Sequence, residues 1–233
     1  MNKEMIRLEN VSKIYNMGEI EVKALDEIDM IICQKDYVSI MGPSGSGKTT
    51  LLDVMSIMNS PSKGKIFIEG KETTKMSNAE LSSFRGKKIG FIFQTFNLLP
   101  KLTAIENVIV PMWINNIDRK KRFERAKSVL ESVGLGDKLY NKPNQLSGGQ
   151  RQRVCIARAL ALNPNIIVAD EPTGNLDSKS GKIVMDILSD LNKKEDKTIV
   201  LVTHDQSIGS KAKKQILLKD GKIVSGNNKV CQL

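Results

Sequence analysis

The glycine-rich stretch GPSGSGKTT at residues 42–50 constrains the fold more than any other part of the sequence. It matches the pattern GxxxxGK[ST], with the apolar run YVSIM (37–41) before it and the run TTLLDVMSIM (49–58) after it. A strand, a glycine-rich loop and a helix in this order form a phosphate-binding loop, where loop N–H groups and the helix N-terminus hold an anion. The sequence therefore predicts an α/β protein with a polyphosphate site.

Individual residues of this stretch suit a nucleoside triphosphate bound with magnesium. Gly45 and Gly47 allow the backbone N–H groups to turn inward onto the phosphates. Lys48 can reach the β and γ oxygens, and the hydroxyl of Thr49 can ligate Mg²⁺. A tight turn without a ligand is the alternative, but the flanking strand and helix favour the phosphate loop.

Short apolar runs predict a central parallel sheet. YVSIM, NIIVAD (165–170) and TIVLV (198–202) are nearly continuous in apolar residues, as is typical of strands covered by helices on both faces. KIFIEG (65–70) and KIGFIF (88–93) also read as strands, and amphipathic stretches separate the runs. We expect an α/β fold built on this parallel sheet.

Antiparallel strands are expected at both ends of the chain. MIRLENVSKIY and VKALDEIDMIIC alternate apolar and polar residues, which predicts antiparallel strands that add to one side of the central sheet. Near the C-terminus, QILLKDGKIVSG predicts a hairpin with Asp220 and Gly221 in its two-residue turn.

A helical insertion interrupts the strand pattern between Gln94 and Gln150. In the segment 119–134, one helical face carries Phe123, Ala126, Leu130 and Val133. We therefore expect a single domain over residues 1–233. Its nucleotide-binding core with the antiparallel β part would span 1–94 and 150–233, and the helical subdomain about 95–149.

Two carboxylates end a predicted strand at the ligand-binding edge of the sheet. Asp170 and Glu171 follow the apolar run IIVA, and open α/β sheets bind ligands at the carboxyl ends of their strands. We expect Asp170 to hold magnesium through water and Glu171 to deprotonate the attacking water. By themselves they would read as two solvated acids; beside a phosphate loop the catalytic interpretation is favoured.

Two further polar residues end predicted strands. His204, the one histidine of the sequence, follows TIVLVT, where it could bond to the γ-phosphate or the attacking water, although a lone histidine is more often structural. Gln94 closes IGFIFQ, where it could contact the magnesium or its water, or serve equally well as a turn residue.

A second glycine pair predicts a second anion site. Ser147, Gly148 and Gly149 precede QRQRVCIARALAL, whose apolar stripe indicates a helix, so the glycines lie at a helix N-terminus. Because the helical insertion separates the two glycine-rich stretches, we expect each to serve a different nucleotide, shared between two chains arranged head to tail.

The charge balance leaves the partner open. The formal net charge of +10 suits nucleic acid, an anionic membrane surface or a polyphosphate, but only 4% of residues are aromatic, which argues against a stacking surface for single-stranded nucleic acid. The densest basic runs, at 119–122 and 211–214, are interpreted first as solvated faces. No apolar run approaches the about 18 residues that span a bilayer, so a membrane role would need another chain as anchor.

Taken together in order and spacing, GPSGSGKTT, FQTFNLLP, LSGGQ, IIVADEPTGNLDS and VTHD resemble the ATP-binding subunit of an ABC transporter over essentially the whole chain. VKALDEID and KPNQLSGGQRQR resemble most the branch of lipoprotein-release, macrolide-export and antimicrobial-peptide exporters. The resemblance implies ATP and Mg²⁺ as ligands, ATP hydrolysis, a head-to-tail dimer with a second copy, and a membrane permease on a separate chain.

The resemblance also implies a role for each matched residue. Tyr15 would stack on adenine, and Asp177 would lie in the loop that crosses the dimer interface. Glu171 would be the catalytic base, His204 the switch residue, and Gln94 the link to the permease. The implied phosphate ligands in this chain are Gly42, Pro43, Ser44, Gly45, Ser46, Gly47, Lys48, Thr49 and Thr50; the ligands for the partner's ATP are Ser147, Gly148, Gly149 and Gln150; the metal ligands are Thr49, Gln94 and Asp170.

These expectations place the protein in the cytoplasm, peripheral on the cytoplasmic face of the cell membrane, with an export substrate such as a lipoprotein, peptide or antibiotic-like molecule. Two rival functions stay open at this point. One is a related ATPase that acts on nucleic acid or ribosomes, which the basic charge favours; the absence of long coiled-coil or zinc insertions argues against it, and no nucleic acid is expected. The other is a cassette that regulates a cell-wall or cell-division membrane complex.

Overall fold

Strands and helices alternate along the chain much as the apolar runs predict. The computed structural model describes residues 3–18 and 20–226. Two units are separable, a first unit of Met1–Arg85 with Asp196–Leu233 and a second unit of Gly86–Glu195.

The strands are β1 Glu4–Met17, β2 Ile20–Cys33, β3 Tyr37–Met41, β4 Lys63–Ile68, β5 Lys71–Glu72, β6 Ile89–Ile92, β7 Ile166–Asp170, β8 Thr198–Val202, β9 Lys214–Lys219 and β10 Lys222–Gly226. The helices are α1 Lys48–Met55, α2 Asn78–Lys88, α3 Ala104–Ile114, α4 Arg119–Ser132, α5 Gly148–Leu160, α6 Ser178–Glu195 and α7 Gln206–Gly209.

The N-terminal strands form an antiparallel sheet of their own, in the order β2-β1-β4-β5. Leu8 of β1 lies between Met30 of β2 and Ile66 of β4, and all three side chains are buried. Because β1 pairs on both of its edges within this sheet, the prediction that the N-terminal strands extend the parallel sheet is wrong.

Parallel strands carry the rest of the first unit. β3 pairs in parallel with β8 on one side and with β9 on the other. β3 and β8 are buried apart from the half-buried Met41, as their continuous apolar runs predict. Helix α1 contacts β1, β2 and β8, so it packs between the two sets of strands.

The predicted C-terminal hairpin is confirmed. β9 and β10 are antiparallel, and Lys219 pairs with Lys222 on either side of the two-residue turn. Both turn residues have positive φ, 48° at Asp220 and 74° at Gly221, which is the conformation that such a hairpin turn needs.

The second unit combines a parallel strand pair with helices. β6 and β7 run parallel, with Ile92 opposite Ala169, and α5 packs against β6 and against α3, α4 and α6. On α4 the predicted apolar face is confirmed at Ala126 and Leu130, while Phe123 is 40% exposed. The α/β fold class, with parallel strands, an antiparallel N-terminal sheet and a helical region, is confirmed.

Candidate active site

The predicted site residues fall into two groups, one in each unit. In the first unit, β3 ends at Met41, and the loop that follows leads into α1 at Lys48. Gly47 is the N-cap of α1 with φ 98°, and a Cβ there would lie 2.4 Å from the carbonyl oxygen of Ala24. Gly45 has φ 76° and open space around its Cα, so a ligand can approach the backbone at this point.

Charge at this loop is suited to an anion. The first turn of α1 holds no acidic residue, so the partial positive charge of the helix N-terminus is not offset by a side chain of that turn. Lys48 Nζ donates to the carbonyl oxygens of Gly42 at 2.9 Å and Pro43 at 2.7 Å, which places the ammonium group over the loop. The buried Ser46 Oγ has no hydrogen-bond partner among the described residues.

The remaining predicted phosphate ligands surround this helix start. Pro43, Ser44 and Thr49 are exposed, and Thr50 is half-buried on the first turn of α1. Thr49 is thus exposed on the first turn of α1, and its role as a metal ligand stays a prediction.

His204 lies at the same strand edge as the phosphate loop. β3 and β8 are parallel, with Ile40 opposite Val202, so both strands end at this edge. His204 follows β8 by two residues and is exposed. Next to His204, Asp205 caps α7 by accepting from the hydroxyl and the N–H of Ser207. These two bonds, the hydroxyl's first, lower the pKa of Asp205, and the charge of His204 adds a smaller lowering.

Tyr15 is placed on the antiparallel sheet of the first unit. Its ring is 36% exposed, and the Lys13 ammonium lies 5.2 Å from the ring centroid. An exposed ring of this kind is able to stack on a planar ligand.

The second group centres on a hydrogen bond between Gln94 and Glu171. Gln94 follows β6 by two residues, and Glu171 directly follows β7. Because β6 and β7 are parallel neighbours, both residues reach the same edge, where Gln94 Nε2 donates to Glu171 Oε2 at 3.0 Å. Asp170 is the last residue of β7 and is half-buried. Gln94 and Glu171, which the sequence placed on separate strands, are therefore direct partners.

Backbone geometry around Glu171 is unusual. Glu171 has φ 41°, in the left-handed region that non-glycine residues rarely occupy. A Cβ at Gly174 would lie 3.0 Å from Gln94 Nε2 and 3.4 Å from Glu171 Oε2, so the glycine leaves room for both side chains. Strain of this kind often accompanies a functional position.

The LSGGQ stretch begins α5 with a capping box. Ser147 Oγ accepts from the Gln150 N–H at 3.2 Å, and Gln150 Oε1 accepts from the Ser147 N–H at 2.9 Å. The first turn holds no acidic residue. A positive helix end is thus formed at residues 147–150, as the sequence predicts.

Helix α5, which begins with the LSGGQ stretch, packs against α6, which begins directly after Asp177 in the second unit. A Cβ at Gly149 would lie 2.6 Å from Ser180 Oγ, so this buried position has room only for glycine. Ser180 in turn donates its N–H and hydroxyl to Asp177, and these bonds lower the pKa of the Asp177 carboxyl. Two stretches that the sequence treated as separate are therefore connected through the Ser180 side chain.

Sequence reasoning missed the residues that shape the loop after β6. Asn175 Nδ2 donates to the Gln94 carbonyl oxygen at 3.1 Å, and the buried Asn107 bonds to the backbone of Leu99 at both its N–H and its carbonyl oxygen. A polar residue on the apolar side of a helix, as at Asn107 of α3, is the signal that could have pointed to this role.

A family model described as "ABC transporter" matches residues 25–174, which include both glycine-rich stretches and Glu171. This chain belongs to the ABC transporter family. It is the ATP-binding, ATP-hydrolysing cassette of such a transporter.

Relatives of the cassette are similar over nearly its whole length. It is 53% identical over 225 residues to an uncharacterised ABC transporter ATP-binding protein of Methanocaldococcus jannaschii, an alignment that covers 97% of this chain and 100% of the relative. It is 48% identical to the macrolide export ATP-binding/permease protein MacB of Aggregatibacter actinomycetemcomitans, of which it spans only 35%.

A solved structure has the same fold as the cassette. It is the dimeric structure of a post-hydrolysis state of the ATP-binding cassette MJ0796, bound to ADP and Pi. The TM-score is 0.89 at 44% sequence identity, and the alignment covers 96% of this chain and 98% of the other. The cassette is therefore an α/β P-loop NTPase in its fold.

Two further properties of the described residues bear on ligands and partners. Among residues 3–18 and 20–226 there is no helix long and apolar enough to cross a membrane. Within the same residues no group of three or more histidine, cysteine and acidic side chains is arranged to hold a metal.

Proposed function

We propose that this cassette binds MgATP, pairs head to tail with a second copy around two nucleotides, and drives a separate membrane permease by hydrolysing the ATP. The observation that carries the proposal is the hydrogen bond between Gln94 and Glu171. This bond joins Glu171, the residue best suited to activate water, with Gln94 and the loop that leads from it toward α3. A change at the γ-phosphate is thereby transmitted to a surface that a partner can contact.

Phosphate binding is assigned to residues 42–50. The N–H groups of the loop and of the first turn of α1 would hold the phosphates, and Lys48 would turn from the carbonyl oxygens of Gly42 and Pro43 to the β and γ oxygens. Tyr15 would stack on the adenine, which its exposed ring allows.

Magnesium and the attacking water are assigned to the strand ends. Thr49 would ligate the metal directly, and Asp170 and Gln94 would hold it or its water. The metal would neutralise charge on the phosphates. Glu171 would orient the attacking water and accept its proton, and His204 would donate a hydrogen bond to the γ-phosphate.

The second anion site is assigned to the nucleotide of the partner copy. Ser147, Gly148, Gly149 and Gln150 form a positive helix end without an acidic neighbour in its first turn. Asp177 accepts from Ser180, which packs on Gly149, so Asp177 lies beside this helix end. Its loop would cross the dimer interface there. The MJ0796 cassette is dimeric in its solved structure, which supports this arrangement.

Permease contact is assigned to Gln94–Lys101 and the helices that follow. A groove of about 750 Å³ lies in this part of the second unit, lined by residues of α3 and α4 and by the exposed Tyr140. This groove would receive a segment of the permease. The cassette would then sit at the cytoplasmic face of the membrane, held there by the permease.

Export is the proposed direction. Support comes from similarity to MacB, which is named as a macrolide export protein and carries its permease in the same chain. A lipoprotein, peptide or antibiotic-like molecule would be the substrate. We further propose that residues 1–233 act as one ATP-binding domain, with 1–94 and 150–233 as its nucleotide-binding core and about 95–149 as its helical subdomain.

Light scattering of a Glu171→Gln variant, with and without MgATP, tests this function. The amide should keep ATP binding but slow hydrolysis, so a closed dimer accumulates. Conversion of monomer to dimer by MgATP is the expected result. ATP binding without any increase in mass would refute the self-dimer, and co-purification that never yields a membrane protein would refute the permease.

A further inference from the structure

The segment that follows β6, residues 93–99, is held by side chains instead of regular backbone pairing. We name it the 93–99 loop. Gln152 Nε2 donates to the Phe93 carbonyl oxygen at 3.3 Å, and Cys155 Sγ donates to the Phe96 carbonyl oxygen at 2.8 Å. Backbone carbonyls in a packed loop need such partners, so these bonds define the shape of the loop.

Arg158 makes the most extensive of these contacts. Its Nη2 donates to the Phe96 carbonyl oxygen at 3.1 Å, and its Nη1 donates to the Asn97 carbonyl oxygen at 2.6 Å. Asn97 has φ 48°, so the chain turns sharply at this point. The planar guanidinium fork spans two successive carbonyls, which the single ammonium group of a lysine does not reproduce.

All three donors come from one face of α5, the helix that begins after Ser147. Gln152, Cys155 and Arg158 are spaced by three residues, so they stand in a row along the helix. Burial raises the pKa of Cys155 to about 12, which keeps its thiol protonated as a donor. The 93–99 loop and the LSGGQ helix are thus joined along about two turns of α5.

The same loop carries Gln94 at its start. In sequence, Gln94 lies between Phe93 and Phe96, whose carbonyl oxygens accept from side chains of α5, and the Gln94 side chain reaches Glu171. Because Arg158 touches neither Gln94 nor Glu171 in these bonds, any effect that it has on the reaction must pass through the backbone of the loop.

We propose that Arg158 is a positioning residue, whose fork locks the 93–99 loop to α5 so that Gln94 stays on Glu171 and the loop moves as one body with the LSGGQ helix start. This inference rests on the proposed function in one respect: a permease bound at the 93–99 loop would be what displaces the loop. It adds the link by which that displacement reaches the anion site at residues 147–150.

An Arg158→Lys variant tests the link, with Arg153→Lys as the matched control. Arg153 is also half-buried on α5 and also donates to two carbonyl oxygens, those of Val133 and Gly134, both at 2.9 Å, but these lie away from the loop. Arg158→Lys is expected to lower kcat for MgATP by about tenfold to a hundredfold, the effect of a small misplacement of reacting groups, while KM changes less than about twofold. Arg153→Lys is expected to leave both constants near their original values.

Hydrogen exchange measures, without ATP turnover, how firmly the Arg158 clamp holds the 93–99 loop; by the clamp we mean the bonds from Arg158 to the carbonyl oxygens of Phe96 and Asn97. The Leu99 N–H donates to Asn107 Oδ1 at 2.8 Å, so its exchange rate reports on the order of the loop. Arg158→Lys should speed exchange across residues 93–99 with little change in the thermal midpoint, and Arg153→Lys should not. Cys155→Ala, which removes the second donor to the Phe96 carbonyl, should act in the same direction but more weakly.

Other results would contradict either the role of Arg158 or the proposed function. An equal fall in kcat for both arginine variants, or a rise in KM that accounts for the loss, would reduce Arg158 to a structural role. Unchanged exchange of residues 93–99 in Arg158→Lys would overturn the clamp. If the original protein shows no ATP turnover, the proposed function fails, and the exchange comparison of the two variants still decides whether the clamp exists.

Discussion

Gln94 and Glu171 are 77 residues apart in sequence and are joined by a hydrogen bond of 3.0 Å between Nε2 and Oε2. They meet because β6 and β7 run parallel and end at the same edge, and because Gly174 leaves space beside them. Glu171, the carboxylate that we propose as the catalytic base, is therefore bonded to an amide from the 93–99 loop. Positions that disturb this bond should alter turnover more than they alter ATP binding.

Gly174→Ala should lower ATP turnover. The added Cβ would lie 3.0 Å from Gln94 Nε2 and 3.4 Å from Glu171 Oε2, so the amide must give way by a few tenths of an ångström, which would disturb its bond to the carboxylate. We expect kcat to fall by about tenfold or more with KM nearly unchanged. Gly181→Ala is the control, because its Cβ meets Thr173 at an ordinary 3.6 Å. Steady-state kinetics on both variants are decisive, and equal activity of the two would show that the Gln94–Glu171 contact is not needed.

Lys48→Ala should weaken ATP binding strongly without unfolding the protein. Lys48 bonds only to carbonyl oxygens of its own loop in the described contacts, so its loss leaves the core intact while removing the cation over the phosphate site. Titration calorimetry with MgATP should show a loss of affinity of about a hundredfold, as expected for a charge-assisted contact worth about 3 kcal/mol. Lys63→Ala, at an exposed lysine of β4 in the same unit, is the control and should bind as before. Retained affinity in Lys48→Ala would contradict the assigned phosphate site.

Ser147→Arg should prevent the ATP-driven dimer of the Glu171→Gln variant. The substitution removes the hydroxyl that caps the Gln150 N–H and places a long side chain over the positive start of α5. ATP affinity of the monomer should not change, since the phosphate loop belongs to the other unit. Ser147→Thr keeps the capping hydroxyl and should still dimerise. A dimer that persists in Ser147→Arg, observed by light scattering, would place the interface elsewhere.

Acid should weaken the N-terminus of α4 through Asp118. Hydrogen bonds from the N–H groups of Lys121 and Lys120 lower the pKa of this carboxyl below its usual value. Because the folded pKa lies below the unfolded one, the stabilisation is complete above the unfolded pKa, near 4, and disappears as the pH falls through the folded pKa.

Urea unfolding between pH 7 and pH 3 measures this effect. Asp118→Asn still caps the helix but does not titrate, so it should be less stable than the original protein at pH 7, and this difference should shrink as the pH falls below the unfolded pKa, near 4. Asp186→Asn, at an exposed position within α6, is the control, and its difference from the original protein should be small at both pH values. A difference for Asp118→Asn that stays constant with pH would rule out the charged cap.

Local sequence signals predicted much of the site because each one depends on near neighbours in the chain. The phosphate loop follows from glycines at the start of a helix, and Ser147 with Gln150 forms the capping box of α5. The N-terminal strands were predicted as strands but in the wrong sheet, since alternation along a strand does not say which partner covers its edges. Phe123 fits the apolar face of α4 by period, yet it lines the groove between helices and stays 40% exposed.

By itself, then, the sequence determined the family, the strand and helix order, and the two positive helix ends, because glycine, caps and apolar periods act over a few residues. Only the tertiary structure decided that Gln94 bonds to Glu171, that Gly149 rests on Ser180, and that Arg158 holds the carbonyls of Phe96 and Asn97. These contacts join a side chain to distant backbone or to a distant side chain. Such pairings leave no periodic signal in the sequence and form only when the strands and helices pack.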